Sequence, residues 1–213
     1  MVIYGTEENQ KLQYSIDTQE RQLYDFITGL FDKLASLISL IIALPIMLII
    51  ALFIKLEDGG SVFYSQKRLG KDGRVFVIYK FRSMHVDAEK NGAQWAEEED
   101  NRITKTGKFI RKTRLDEIPQ LYNILAGHMK LIGPRPERPE LAEEFYEYLP
   151  EFVNRLAVKP GLTGLAQVSG GYDLTPEEKL ILDVEYIENR GFMLDFKIIF
   201  KTVAVVLSGD GAR

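Results

Sequence analysis

Asp116 and Glu117 are neighbouring carboxylates just ahead of Pro119, and cations crowd them: Arg111, Lys112 and Arg114 before the pair, Arg135 and Arg138 beyond it. A carboxylate in such company can attack phosphorus. It then forms an acyl phosphate and splits one difficult transfer into two easier ones, provided arginine, lysine or Mg²⁺ neutralises the electrophile. Arg111, Arg114, Arg135 and Lys80 could supply the cations, and an acidic residue could hold the metal. The acids alone have a plainer explanation. Proline is tolerated in a first helical turn, where its missing N–H has no intrahelical partner, so Pro119 puts the pair at or just inside a helix start. Carboxylates there cap the helix and complement its dipole. The surrounding cations shift the balance toward chemistry. In Gly133-Pro134-Arg135-Pro136 the prolines restrict the backbone around the arginine, presenting a planar fork that matches phosphate oxygens bidentately with little entropy to lose.

Several other chemistries are excluded. The chain has no cysteine, which removes thiol nucleophiles, disulfides and thiolate zinc sites. With only two histidines, His85 and His128, a bound metal is expected to be hard and oxygen-ligated, magnesium being natural beside phosphate. Neither a G-x-x-x-x-G-K-[ST] loop nor a G-x-G-x-x-G turn is present, which argues against a conventional ATPase or dinucleotide enzyme. A net charge of −4 and a pI near 5.4 argue against nucleic acid as a general partner.

The elements that must position these residues begin with a membrane segment. Residues 1–30 are polar and mixed, lack the pattern of a signal peptide, and read as a partly helical or mobile extension. From Leu34 to Ile54 run 21 residues without a charge, about 31 Å as a straight helix and enough for the hydrocarbon core of a bilayer. Pro45 interrupts that run and removes a backbone hydrogen bond. A kinked span would put the two ends on opposite sides; a sharply broken helix would re-enter and leave both on one face. Lys55, Lys67, Arg68, Lys71 and Arg74 put the following segment on the cytoplasmic side. Anchored there, the acid pair and the constrained arginine suit one soluble phosphate ester and one lipid phosphate.

The rest of the chain reads as scaffold. Ser61–Tyr64 and Arg74–Phe81 alternate around Gly70 and Gly73 as a short hairpin, with Lys80 and Arg82 flanking Phe81 as ordinary strand-end cations on local pattern alone. An acidic, exposed loop with Trp95 is expected over 87–101. Leu141, Phe145, Leu149 and Phe152 mark an amphipathic helix that Pro150 ends or bends. Lys159–Gly164 reads as a turn-rich loop, either a ligand approach or a plain connection. Thr175-Pro176-Glu177-Glu178 opens a helix with a capping box, and Gly191 marks its stop. Phe192–Leu207 is apolar beyond an ordinary surface helix and is expected between the protein and the bilayer surface.

These residues together resemble the bacterial sugar transferases, the monotopic phosphoglycosyl transferases that start polysaccharide and glycoconjugate assembly. The resemblance runs from about Phe31 to Arg213. It is carried by the proline-centred apolar segment, Phe63-Tyr64-Ser65-Gln66-Lys67-Arg68-Leu69-Gly70, Tyr79-Lys80-Phe81-Arg82-Ser83-Met84, and Arg114-Leu115-Asp116-Glu117-Ile118-Pro119-Gln120-Leu121. Gly133-Pro134-Arg135-Pro136-Glu137-Arg138-Pro139, Pro160-Gly161-Leu162-Thr163-Gly164-Leu165-Ala166-Gln167 and the closing Lys201-Thr202-Val203 helix complete it.

After an N-terminal extension over 1–30, which matches nothing in the family, the resemblance implies a mostly helical α+β fold: a re-entrant helix-break-helix over 31–55 centred on Pro45 and a cytoplasmic-face catalytic domain over 56–213. That domain would carry a small β-hairpin and amphipathic helices lying on the bacterial inner membrane. It also implies transfer of a phosphosugar from a UDP-sugar to undecaprenyl phosphate with release of UMP. Asp116 would be the nucleophile and, with Mg²⁺ beside it, the metal ligand; Glu117 would complete the dyad; Lys80, Arg111 and Arg135 would engage phosphate. Membrane lipids are implied partners, and homo-oligomerisation is left open. His128 departs from the acid usual in the family, and Leu44 stands before Pro45 where some members have serine. Without the extra membrane helices of larger members, the chain is expected to be the minimal catalytic form. A non-catalytic membrane-anchored scaffold is the reading from another class.

Overall fold

The uncharged run lies inside one long helix, α1, from Gln22 to Asp58; the computed structural model of the protein describes residues 13–16, 21–88 and 100–208. Residues 22–30 of the expected extension are the first turns of α1. Most of the remaining extension, and the central part of the 87–101 stretch with Trp95, lie outside the described residues. Helical backbone continues through Pro45, so the proline removes one hydrogen bond without ending the helix. Gly59 closes it in the left-handed region, at φ 71°, with its N–H bonded to the Lys55 carbonyl at 3.1 Å.

One face of α1 meets the rest of the protein along its whole length. Tyr24, Asp32, Ser36, Ile50 and Ile54 are buried, and Leu40 and Met47 pack between them. The other faces expose Phe26, Phe31, Ile42, Leu48 and Phe53, among many more. Among the described residues it is the one helix long and apolar enough to cross a membrane. So large an apolar surface is one that lipid, not water, would cover.

The expected hairpin is present, with strands longer than the sequence suggested. β1 (Phe63–Leu69) pairs antiparallel with β2 (Val75–Phe81), in register from Phe63 opposite Phe81 to Leu69 opposite Val75. Phe76 and Ile78 on β2 pack against Leu121, Ile124, Met129 and Leu40. Phe81 joins Ile50, Ile54 and Ile110, so a continuous seam ties α1 to the hairpin, to α2 (Lys105–Lys112) and to α3 (Gln120–Leu125). Asn123 is fully buried and completes that joint: Nδ2 donates to the Val77 carbonyl at 2.6 Å and Oδ1 accepts from the Tyr79 N–H at 3.1 Å. Glu57, in the last turn of α1, accepts from the N–H groups of Lys105 and Thr106 at 2.7 and 3.0 Å, satisfying two orphan donors at the start of α2.

The second half of the chain wraps around a two-stranded parallel sheet. β3 (Lys130–Ile132) pairs with β4 (Gly161–Thr163), so the Lys159–Gly164 stretch read as a loop contains a strand. α4 (Pro139–Tyr148) stops before Pro150, which opens a 3-10 helix over Pro150–Ala157. Phe145, Phe152 and Leu180 bury these elements against α6 (Pro176–Asn189), while α5 (Leu165–Ser169) connects to them. The capping box of α6 is formed as expected: the Glu178 N–H donates to Thr175 Oγ1 at 3.3 Å, and the Thr175 N–H donates to Glu178 Oε2 at 2.8 Å. Thr175→Ala should therefore cost about 1 kcal/mol, read as a fall of about 3 °C in Tm.

α6 ends at Asn189, and Gly191 precedes α7 (Phe192–Ser208). Only Asp195 and Ile198 of α7 are buried; Phe192, Met193, Phe196, Phe200 and Leu207 are exposed. Its start meets the start of α1, where the Tyr24 hydroxyl donates to Asp195 at 2.6 Å and the Tyr24 ring meets Phe192 edge-on at 5.3 Å.

Candidate active site

The acid pair lies in a 3-10 turn, Leu115–Glu117, one step earlier than the helix start expected from Pro119, which instead precedes α3 as its N-cap. Arg114 enters that turn in the left-handed region at φ 56°. This conformation is uncommon for a residue with a side chain and costs on the order of 1 kcal/mol. The Glu117 N–H bonds back to the Arg114 carbonyl at 3.3 Å, so Arg114 contributes by its backbone to aiming the pair. Ahead of the turn, Gly107 of α2 lies so close to the end of the hairpin that a β-carbon there would overlap the Ser83 carbonyl. Only glycine lets α2, with Arg111 in its last turn, approach this far.

Four sequence-predicted residues converge. Glu117 Oε1 accepts from Lys80 Nζ at 2.8 Å and from Arg135 Nη2 at 2.6 Å. Lys80 Nζ is also 3.9 Å from Asp116 Oδ2, beyond hydrogen-bond reach. Lys80 is thus no ordinary strand-end cation, although its partner in that reading, Arg82, is turned to an ion pair with Asp58. The two acids divide their roles by environment. Burial pushes the Asp116 carboxyl above its ordinary range and the Glu117 charge adds to this, while Lys80, Arg111 and Arg135 act the other way. Burial would also raise Glu117, but Arg135 and Lys80, by charge and by hydrogen bond, prevail and hold it well below the usual carboxylate range. Glu117 is the fixed anion that clamps two cations. Asp116 is the buried carboxylate left without such a clamp.

Arg111 completes the site from α2. Its charge acts on Asp116, and its Nη1 is buried with no hydrogen-bond partner among the described residues. A buried guanidinium donor is costly to leave unsatisfied, and an anionic oxygen would satisfy it. Mg²⁺ fits the same corner. It binds through one or two carboxylates together with substrate phosphate oxygens and water, and Asp116 is available for that role where Glu117 is committed. Among the described residues no group of three or more Asp, Glu, His or Cys gathers as a metal site, so any ion here would depend on substrate oxygens and water for most of its ligands.

The loop that presents Arg135 is held from several directions. Arg68 Nη1 donates to the Pro136 carbonyl at 3.0 Å, and the Leu69 N–H donates to the Glu137 carbonyl at 2.9 Å. From β4, the Gly161 N–H donates to the Pro134 carbonyl, and the Thr163 carbonyl accepts from the Gly133 N–H, both at 2.9 Å. The sequence blocks around Arg68 and Gly161 are therefore supports for the constrained arginine. His128 lies apart, past the C-terminal end of α3, where its ring stacks on Phe76 at 5.8 Å.

Sequence reasoning missed Arg155 and Asp183. Arg155 Nη2 donates to the Arg135 carbonyl at 3.0 Å and Nε to Asp183 Oδ2 at 2.5 Å, with Phe152 beneath the guanidinium at 4.5 Å. The available signal was an arginine and an aspartate on the inward faces of amphipathic helical stretches. Gln167 was also missed as a separate residue; neither amide atom of its side chain has a partner among the described residues.

The charges make a pH prediction. Lys80 lowers the Asp116 pKa, so its removal leaves burial and Glu117 less opposed. In Lys80→Ala the acid limb of kcat/KM should move to higher pH, and pH–rate profiles of the two proteins check it.

Residues 23–209 match the family described as bacterial sugar transferase, and the chain belongs to that family. It is 45% identical over 194 residues to the UDP-N-acetylgalactosamine-undecaprenyl-phosphate N-acetylgalactosaminephosphotransferase of Aeromonas hydrophila, covering 90% of this chain and 46% of that protein. It is 40% identical over 203 residues to the undecaprenyl-phosphate galactose phosphotransferase of Salmonella typhimurium, covering 88% of this chain and 42% of the relative. Identity to the UDP-glucose:undecaprenyl-phosphate glucose-1-phosphate transferase of Xanthomonas campestris pv. campestris is 40% over 185 residues, covering 84% and 38% of the two chains. The chain spans less than half the length of these relatives.

Proposed function

We propose that the protein is a phosphoglycosyl transferase that moves a phosphosugar from a UDP-sugar to undecaprenyl phosphate and releases UMP. The observation that carries this reading is the asymmetry of the acid pair: a buried, unclamped Asp116 beside a Glu117 that holds Lys80 and Arg135 in place. The printed names of the relatives, all sugar-phosphate transferases acting on undecaprenyl phosphate, support the substrate classes.

In the first step an oxygen of ionised Asp116 attacks the phosphorus nearer the sugar. The bond from that phosphorus to the bridging oxygen breaks, and UMP leaves with the electron pair. In the second step a phosphate oxygen of the lipid attacks the same phosphorus, the acyl-phosphate bond breaks, and Asp116 is regenerated as carboxylate. Lys80, Arg135 and the open donor of Arg111 meet the phosphate oxygens, and Glu117 keeps the first two aligned. Mg²⁺, held by Asp116 and the substrate, would supply further charge neutralisation at the diphosphate.

The same proposal sets α1 in the cytoplasmic leaflet as a re-entrant element, with the catalytic domain on the cytoplasmic face. It is supported by the contacts at both ends of the helix. Tyr24 bonds Asp195 near one end and Ile54 packs with Phe81 and Ile110 near the other, so one domain meets both.

A donor panel of UDP-galactose, UDP-glucose and UDP-N-acetylgalactosamine, assayed with polyprenyl phosphate, tests the reaction. UMP release that depends on both substrates is expected. Release of UDP would indicate transfer of the sugar alone, and no nucleotide release with any donor would favour the scaffold reading.

A further inference from the structure

Away from the acid pair, beyond the C-terminal end of α3, a cavity of about 220 Å³ opens between the first half of α1 and the β3 region. Five cations line it, Lys33, Lys71, Lys130, Lys159 and Arg190, against two carboxylates, Asp25 and Asp32. Asp25 is taken: Lys130 Nζ bonds it at 2.7 Å and Arg190 Nη2 lies 3.7 Å from it. Asp32 is buried and accepts from the Leu131 backbone N–H. Lys33, Lys71 and Lys159 are exposed and form no ion pair among the described residues. Although its side chain reaches solvent, Lys159 is partly desolvated, which lowers its pKa; the charges of Lys130, Lys33 and Lys71 lower it further and only Asp25 opposes them, the mark of a net positive potential.

Its position says what kind of anion. Lys33 is the last charged residue before the apolar run that begins at Leu34, and Gly29 and Asp32 on the same helix line the cavity. The opening therefore sits beside the point where charges cease along α1, flanked by the helix's exposed apolar side chains, at the level of phospholipid headgroups. Basic pockets at that level recruit anionic headgroups, each cation near the surface adding to the attraction.

We propose that this cavity binds the phosphate headgroup of an anionic membrane phospholipid, with Lys33, Lys71 and Lys159 as its cations, and that the bound lipid fastens α1 to the β3 region. The site is separate from the acid pair, and the proposal needs no particular reaction there.

The test uses the full chain in neutral detergent micelles. Added phosphatidylglycerol should raise Tm by about 5 °C, whereas phosphatidylcholine should not. The shift should vanish in Lys71→Gln/Lys159→Gln, which changes exposed residues and should melt like the wild type in neutral micelles. Native mass spectrometry should find phosphatidylglycerol retained by the wild type alone. If the double variant misfolds, Lys33→Gln serves instead and should lose most of the shift. A shift kept in full by the folded variants would overturn the proposal. An equal shift from inorganic phosphate would make the occupant a soluble anion, and one from polyprenyl phosphate that the variants lose would make it the acceptor; either would overturn the assignment to a membrane phospholipid.

Discussion

Asp116→Asn should lower product formation by at least about a thousandfold, the scale on which losing a covalent nucleophile is felt. The amide keeps the shape of the side chain but cannot take the phosphosugar and later release it as a good leaving group. With radiolabelled UDP-sugar and Mg²⁺ but no lipid acceptor, label should stay on the wild-type protein and not on the variant. Near-normal turnover by Asp116→Asn would refute the assignment. The fold supplies its own control. A folded-state pKa raised above the unfolded value means that the wild type is fully stable only below the ordinary aspartate range, losing stability as pH rises through the folded value. Asparagine never ionises, so at neutral pH the variant should melt no lower than the wild type, and any advantage should fade as the solution is acidified. An inactive but folded variant isolates the chemistry.

Arg155→Met should be the most destabilising single change near the site. Arg155 is 5% exposed and Asp183 is fully buried, so removing the arginine strands a buried carboxylate. Breaking such a pair costs about 3–5 kcal/mol, which for a chain of this length is a fall of about 10 °C in Tm. The Arg135 carbonyl also loses its 3.0 Å donor, which should lower kcat/KM in assays well below the melting range. The two effects can be separated with Arg155→Met/Asp183→Leu. Replacing both members of a buried pair by apolar residues is often neutral or better, so Tm should largely return. Activity should not, because nothing replaces the bond to the loop of Arg135. Full recovery of kcat/KM in the double variant would show that Arg155 only stabilises.

What was legible in the sequence was local. The capping box of α6 depends on residues three apart, and both bonds are formed. The hairpin followed from alternation around Gly70 and Gly73, and the long apolar helix from its uncharged run. The acid pair was visible because its atypical company of arginines sits within one stretch of sequence. Lys80 looked ordinary by the same criterion. Its role comes from the pairing of β2 with α3 through Asn123, which brings residues 37 apart into one ion pair. Arg155 and Asp183 are 28 residues apart and belong to different helices, so no local pattern could join them. β3 and β4 are three residues each, too short for alternation to register, and their partners lie across the chain. The family resemblance supplied the roles; the geometry supplies the division of labour between the two acids.

The close approach of Gly107 to Ser83 bears on how this protein could be engineered. Replacing helical glycines by alanine is a standard route to thermostability, and on helix propensity alone the exchange in α2 would be worth up to about 1 kcal/mol. Here the added methyl would meet a backbone carbonyl, which cannot rotate aside as a side chain can. α2 would have to lift from the hairpin, carrying Arg111 with it. A stabilisation campaign guided by sequence rules would pick Gly107 early and displace Arg111 with it, whereas Gly29, whose β-carbon would meet nothing within 4 Å, should accept the same exchange.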